Sequence, residues 1–422
     1  MENAKKTIAI SVIVGMGLVL VGRAIWAESV SPAQEVLCDL RAKGASDSFY
    51  FAWTHVWMSP WSSVGDRRHV VEKDGKVVPK PVDEVELQDG IAKAIGVAPK
   101  LYYSDLASIV GNLDSGCYYE VNRAAYSAAI RKAWKAYNGV CVFSWHMDHP
   151  CSTGGFQRSA YRHKCTEHKN VVKAILRDEK WTGGCGQNHE KTGRLSVDSP
   201  RAWFMKQLSD VAAFFNTLVD ENGVKIPVIV RYEHEMDGGW FWWGDGWCTA
   251  AEFAEFCRLE ADVLRRLCGN DQILFAYTPH RTWKDLGCPD DGGHNFLTWY
   301  PGDGYVDIVG FDDYSIGKGN TGEQAKANFL ETLRKLRIVS KYADEKGKVA
   351  AITECGCAGT RDNVYDIIFR LMTADGVKAA FVDTWGGKYT MPEDNPRIVE
   401  GLKAFVRKAQ VLTEPYPIKT KR

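Results

Sequence analysis

The sequence has no surplus of charge of either sign: 53 basic residues stand against 53 acidic ones. Leaving out residues 1–27, with Lys5, Lys6, Arg23 and Glu2, gives 50 against 52. That balance excludes recruitment of nucleic acid or of an anionic membrane through net charge. No glycine-rich phosphate fingerprint opens a helix, which argues against an open, doubly wound dinucleotide-binding sheet. No low-complexity linker or internal repeat divides the chain, so a single main domain is expected. The 422 residues, 45% hydrophobic and 25% charged, are enough for a substantial core.

The N-terminal apolar stretch "TIAISVIVGMGLVLVG" stops at Arg23, short of the roughly 20 residues that span a bilayer. Lys5 and Lys6 precede it, and "RAIWAES" offers Ala27 as a small-residue exit. This is the pattern of a secretory signal over residues 1–27. The mature chain is expected to be secreted, periplasmic or on the cell surface. Retention of the segment as an N-terminal anchor is the alternative, because Ile25 is an imperfect cleavage context. Export bears on the 12 cysteines, all of which follow the signal. An even count in an oxidising compartment favours disulfides, although Cys257, within a helical pattern, suits a free buried thiol.

What the chain does contain is a repeated alternation from residue 49 to residue 410. Apolar, β-branched runs occupy 49–57, 98–106, 139–150, 226–238, 272–280, 305–315, 348–357 and 379–389. Segments of helical spacing separate them, such as "TAAEFAEFCRLEADVLRRLCGN". Strands alternating with helices imply βαβ units, and eight of them predict a single (β/α)8 TIM barrel. Several runs end in polar residues: "SWHMDHP", "RYEHEMDG", "YTPH", "FDDYS", "TECG" and "DTWGG". In a barrel those C-terminal ends converge on one rim, where active sites form. The segment 151–198 is a long Cys-rich loop after strand three, expected to fold over the rim and be stapled by some of Cys151, Cys165 and Cys185. The barrel domain is expected to span 28–411, followed by a flexible tail over 412–422.

Glu235 ends the fourth candidate strand and Glu354 the seventh, and strands four and seven face each other across a small barrel's mouth. Alone, either glutamate would be read as a surface ion pair. An opposed pair is what glycosidic cleavage needs: one carboxyl protonates the departing oxygen and the other attacks or activates water.

The stretch "IPVIVRYEHEMDGGWFWWG" resembles the acid/base segment of glycoside hydrolase family 26, roughly R-x-x-H-E-x-x-G-x-W-F-W-W-G. Arg231, His234, Glu235, Gly238, Trp240, Phe241, Trp242, Trp243 and Gly244 match it. "FSWHMDHP", "WYPGDGYVDIVGFDDYS" and "AITECG" resemble the family's strand-three, strand-six and nucleophile segments, in order, from about Phe49 to Phe405. The resemblance implies a retaining glycosidase, with Glu235 as acid/base and Glu354 as nucleophile. Most members are endo-β-1,4-mannanases. Others act on mixed-linkage β-glucan or β-1,3-xylan, or release mannobiose from chain ends. By the same resemblance Tyr314 donates to Glu354, and His234 and His146 contact the sugar. Trp240 and Trp385 stack on pyranose faces, whereas Trp242 and Trp243 pack. Arg231 supports the nucleophile's end of the barrel or forms a structural ion pair, and both readings stay open. The tryptophan rings should raise the pKa of Glu235 by desolvation. Asp312 and Asp313 flank the Tyr314 strand end, with no choice between them as hydroxyl ligands.

The chain departs from the pattern at Asp237, at His149, at "DTWGG" and at "FAWTHVW", all at expected glycone subsites and so bearing on substrate and on endo or exo action. His146, His149, Cys151, His163, Cys165, His168, Cys185 and His189 crowd one region, but without C-x2-C pairs or regular spacing. A stapled loop is therefore expected there, with no metal and no cofactor. A catalytically silent carbohydrate-binding barrel would have lost a glutamate, and both are present. The expected partner is a β-mannan-class polysaccharide met by a monomer.

Overall fold

The structure, a computed structural model, describes residues 30–54, 70–73, 76–79, 90–110, 119–151, 160, 170–181, 199–287, 294–319, 321–357, 364–392 and 395–415. Eight parallel strands form its centre: β1 (Phe49–Thr54), β2 (Leu101–Asp105), β3 (Val140–Ser144), β4 (Val228–Arg231), β5 (Ile273–Tyr277), β6 (Ile308–Asp313), β7 (Val349–Cys355) and β8 (Ala379–Thr384). Each pairs with the next, and β8 returns to β1 to close the barrel. All eight coincide with the runs expected from sequence. Every barrel strand is buried on both faces, which is why these segments read as continuous apolar runs rather than alternating ones.

The period of two reappears in the packing. Phe49, Phe51 and Trp53 join the layer between barrel and helices, while Tyr50 and Ala52 point into the interior cluster with Leu101, Tyr103, Val140, Val142 and Ile229. Helix α1 (Pro32–Gly44), opened by Pro32 and a Ser31–Gln34 capping box, lays Ala33, Val36 and Leu40 against that interior cluster. It contacts β1, β5, β7 and β8 and so plugs the end opposite the polar rim. The outer ring includes α2 (Tyr119–Tyr137), α3 (Pro200–Phe215), α4 (Ala250–Cys268), α5 (Gly322–Lys346), α6 (Val364–Met372) and α7 (Pro396–Phe405).

Two expectations change. The tail begins with structure: Val411 and Leu412 pair with Phe49 and Tyr50 of β1, and Glu414 and Pro415 pair with Ala98 and Val97. The strand edge, which sequence periodicity does not reveal, captures these residues. The even cysteine count does not mean general pairing either: Cys38, Cys141, Cys248, Cys257, Cys268 and Cys355 are free thiols, all but Cys38 buried, with Cys257 as expected. The buried ones act as small apolar fillers. Cys151 is disulfide-bonded. Cys117, Cys165, Cys185 and Cys288, most of the 151–198 loop and the N-terminal 1–29 lie outside the described residues. Within that loop Ala160 accepts a hydrogen bond from the Trp242 backbone N–H at 3.2 Å, against the rim, and Val171–Arg177 form a helix. Among the described residues no helix is long and apolar enough to cross a membrane.

Candidate active site

The rim residues are held by the strand ends and the turns that follow them. Glu235 sits four residues beyond β4 with φ of 54°, in the left-handed region that an L-residue enters only when its surroundings impose it. Its backbone N–H bonds the Thr278 carbonyl at 3.0 Å, and its own carbonyl accepts from Gly238 at 2.9 Å. Gly238 has a steric reason: a Cβ there would lie 2.2 Å from the Trp240 ring. That close approach lets the Trp240 indole N–H donate to Glu235 Oε2 at 2.7 Å.

Glu354 comes from the other side of the mouth. The register of β7 against β6 shifts between Ile352 and Glu354, a bulge that re-aims the side chain. Its carboxylate accepts from the Tyr314 hydroxyl at 2.5 Å and from Arg231 Nη1 at 2.9 Å. Arg231 is fully buried and bridges Glu354 to Asp312, whose Oδ2 lies 2.5 Å from Nη2. Asp312 also accepts from Thr353 at 2.8 Å. Both readings left open for Arg231 therefore hold, since one guanidinium is a buried ion pair and a donor to the nucleophile candidate. Asp313 turns the other way, to Ser315, Thr332 and Lys335.

One carboxylate oxygen each from Glu235, Asp312 and Glu354 lies within 4.8 Å of the others. Arg231 already supplies positive charge to two members of this group, so the donor set suits a guanidinium rather than a cation from solution. His146 is oriented by Asp105, with Nδ1 to Oδ2 at 2.5 Å and its backbone N–H to Oδ1 at 3.1 Å. Its ring meets the His234 ring edge-on at 4.6 Å and that of Trp385, half-buried beyond β8, at 5.9 Å. Burial, with His146 and Arg231 nearby, holds His234 well below the usual imidazole range, so it is neutral. Trp242 and Trp243 are fully buried and pack, and the Trp243 N–H donates to the His234 carbonyl at 3.1 Å.

The charge state of Glu235 overturns the sequence expectation. Burial does push its pKa upward, but contact with His280 and the Trp240 N–H outweigh it, and the net direction is down. His280 Nδ1 stands 3.2 Å from Glu235 Oε1, an ion pair when the imidazole is protonated, though not aligned as a hydrogen bond. Trp240 thus presents its N–H edge, not only a face, to the site. His280 and Asp105 were missed as site residues, although each closes a polar strand end, "YTPH" and "YYSD".

Asp237 and His149, two departures that suggested altered sugar contacts, are structural. Asp237 is buried and accepts the backbone N–H groups of His280 and Arg281 at 2.8 and 2.9 Å, tying the β4 turn to the β5 turn. Asp237→Ala should cost about 1–3 kcal/mol of stability, because it orphans two donors. Urea unfolding checks this, and a loss confined to activity would refute it. His149 is fully buried and accepts the Cys151 N–H at 3.1 Å.

Behind the rim, Glu233 faces Glu260 of α4, and both are buried. Burial, foremost, raises Glu233 to about 7, and burial and then Glu233 hold Glu260 well above the carboxylate range. Two such groups are compatible only with a proton between them. Their folded pKa values exceed the unfolded ones, so their contribution is present at acid pH and is lost as pH rises through about 7. Glu260→Gln, whose amide can donate to Glu233, should raise stability above pH 7 by about 1–3 kcal/mol and little at pH 5. Melting temperatures at the two pH values measure this difference, and equal shifts at both would refute it.

A closed parallel barrel with two carboxylates opposed across its C-terminal mouth defines a glycosidase-type site. Residues 82–415 match the model of glycosyl hydrolase family 26, and the chain belongs to that family. A mannan endo-1,4-beta-mannosidase of Bifidobacterium adolescentis is 33% identical over 158 residues, 37% of this chain and 15% of that protein. The chain thus aligns with only a minor part of that relative's length. The catalytic domain of a Bacillus sp. JAMB-750 GH26 endo-beta-1,4-mannanase is 26% identical with a TM-score of 0.64, covering 91% of this chain and 92% of that one. GH26C from a Muricauda species, at 24% identity, shares the fold with a TM-score of 0.68 over 90% of this chain and 91% of its own.

Proposed function

We propose that this chain is a retaining glycosidase that cleaves internal β-1,4-mannosidic bonds of mannan, glucomannan or galactomannan by double displacement. The observation that carries the reading is the approach of Glu235 and Glu354 oxygens to within 4.8 Å. That proximity suits a nucleophile in direct contact with the anomeric carbon, as in retaining pairs whose carboxyl groups stand about 5–5.5 Å apart. Mannan specificity is supported by the names of the relatives.

In the first step a Glu354 oxygen bonds the anomeric carbon while the glycosidic C–O bond breaks, and Glu235 delivers its proton to the departing oxygen. Tyr314 and Arg231 hold Glu354 and stabilise the carboxylate. In the second step water gives its proton to Glu235 and its oxygen to the anomeric carbon, releasing Glu354. His234 and His146 line the sugar side, and the faces of Trp240 and Trp385 take pyranose C–H edges. Export after removal of residues 1–27, a disulfide-stapled 151–198 loop and action as a monomer complete the reading.

Purified protein assayed side by side on mannan, glucomannan, lichenan and β-1,3-xylan tests the assignment. Hydrolysis fastest on the two mannans supports it, and fastest on lichenan or β-1,3-xylan overturns the specificity. Reduced mannooligosaccharides then distinguish cleavage at internal bonds from mannobiose release at one end.

A further inference from the structure

The proposed mechanism needs a proton on Glu235, yet the free enzyme surrounds that carboxylate with groups that favour its charge. Trp240 donates to one oxygen at 2.7 Å, and His280 Nδ1 stands 3.2 Å from the other. Arg231 favours its charge as well, against the nearby carboxylates of Asp312 and Glu354. A buried carboxylate held in this way protonates a glycosidic oxygen only if a proton reaches it once the substrate has replaced water.

We propose that Glu235 and His280 hold one proton between them, His280 being the reservoir from which the acid/base carboxyl is charged during the reaction. This rests on the glycosidase reading. Three further features of His280 support it. Its backbone is fixed, by Asp237 at the amide and by Lys335 Nζ on the carbonyl at 2.9 Å. Its ring stands edge-on to Trp240 at 5.0 Å, so one indole contacts both members of the pair. Its side chain is 28% exposed where that of Glu235 is 11%. It opens onto a cleft of about 550 Å³ shared with Arg281, Tyr314 and Lys318, so water can refill it while sugar covers Glu235.

The other charged groups around the imidazole already have partners. Asp237 holds backbone amides, Lys335 is 3.6 Å from Asp313, Arg281 pairs with Asp245 at 3.0 Å and Glu331 with Arg334 at 2.7 Å. Burial works against a charged imidazole, but contact with Glu235 prevails and raises the His280 pKa, as the same contact lowers that of Glu235.

The proton balance is simple. In the resting pair the proton is on imidazole. It moves to the Glu235 oxygen and then to the leaving oxygen, leaving neutral imidazole and carboxylate. The attacking water's proton restores the pair in the second step. A pair that can place a single proton on either member keeps it to higher pH than either member alone. His280 is therefore a positioning residue that extends activity into the alkaline range.

The experiment compares kcat/KM against pH for wild type and His280→Asn on mannohexaose. The alkaline limb should move to lower pH in the variant, so that the ratio of kcat/KM at pH 8 to that at pH 5 falls on the order of tenfold. An even loss at all pH values, with the limb unmoved, would reduce His280 to packing and overturn the proposal. A second readout needs no turnover: the His280 imidazole, followed by NMR titration, should lose its raised pKa in Glu235→Gln. An unchanged titration would also overturn it. If wild type cleaves no polysaccharide, the glycosidase reading fails, and the titration still decides whether the pair shares a proton.

Discussion

Glu354→Ala should lose at least about 10⁴-fold in kcat on mannan, the scale seen when a covalent nucleophile is removed from a preformed site. The residual rate is then that of the remaining binding and acid groups. Glu235→Ala should behave differently, in a way that separates the two roles. Its loss on mannan should be about 10²–10⁴-fold, the usual size of a general-acid contribution. On an aryl mannobioside, whose phenolate departs without a proton, that loss should shrink sharply for Glu235→Ala and stay large for Glu354→Ala. Steady-state kinetics on both substrates check this, and equal losses for the two variants on the aryl substrate would sink the assignment.

Arg231→Met should destabilise the fold by about 3–5 kcal/mol, the cost of leaving buried carboxylates without their counter-charge. Asp312 and Glu354 both bond this one guanidinium, and Arg231 and Asp312 are wholly inaccessible to water. Methionine fills similar volume, so the loss measures charge rather than a cavity. Adding Asp312→Asn to Arg231→Met should recover part of the stability by removing one of the two orphaned charges. Urea unfolding of the three proteins is the test. An Arg231→Met protein as stable as wild type would show that the network contributes only to catalysis. Arg231→Lys should fall between, because an ammonium cannot span two carboxylates as a planar fork does.

The barrel was legible because its strands are buried on both faces, which writes each of them as an unbroken apolar run ended by polar residues. Glu235 and Glu354 were legible for the same reason, as charges at the ends of such runs. What the sequence concealed is direction. "HEMDGGW" records an aromatic ring near a glutamate but not that Gly238 lets the indole N–H edge point at the carboxylate, where it joins His280 in reversing the expected shift. Asp237 looked like a changed sugar contact, yet it ties two loops together. His280 lies 45 positions from Glu235, in a turn with no periodicity, and only barrel closure brings the two into contact. The interior plug of α1 and the edge pairing of residues 411–415 depend on three-dimensional adjacency in the same way.

The left-handed backbone of Glu235 has an evolutionary consequence. At that position glycine or asparagine would rest more comfortably than glutamate, by about 1–3 kcal/mol on the usual scale of such strain. The most readily accommodated substitutions there are thus the ones that abolish the proposed proton transfer. Against that gain stands the Trp240 N–H, which would lose its acceptor at about the same cost. A lineage released from selection for hydrolysis would therefore meet little stability barrier at this position to an inert barrel that keeps its aromatic wall.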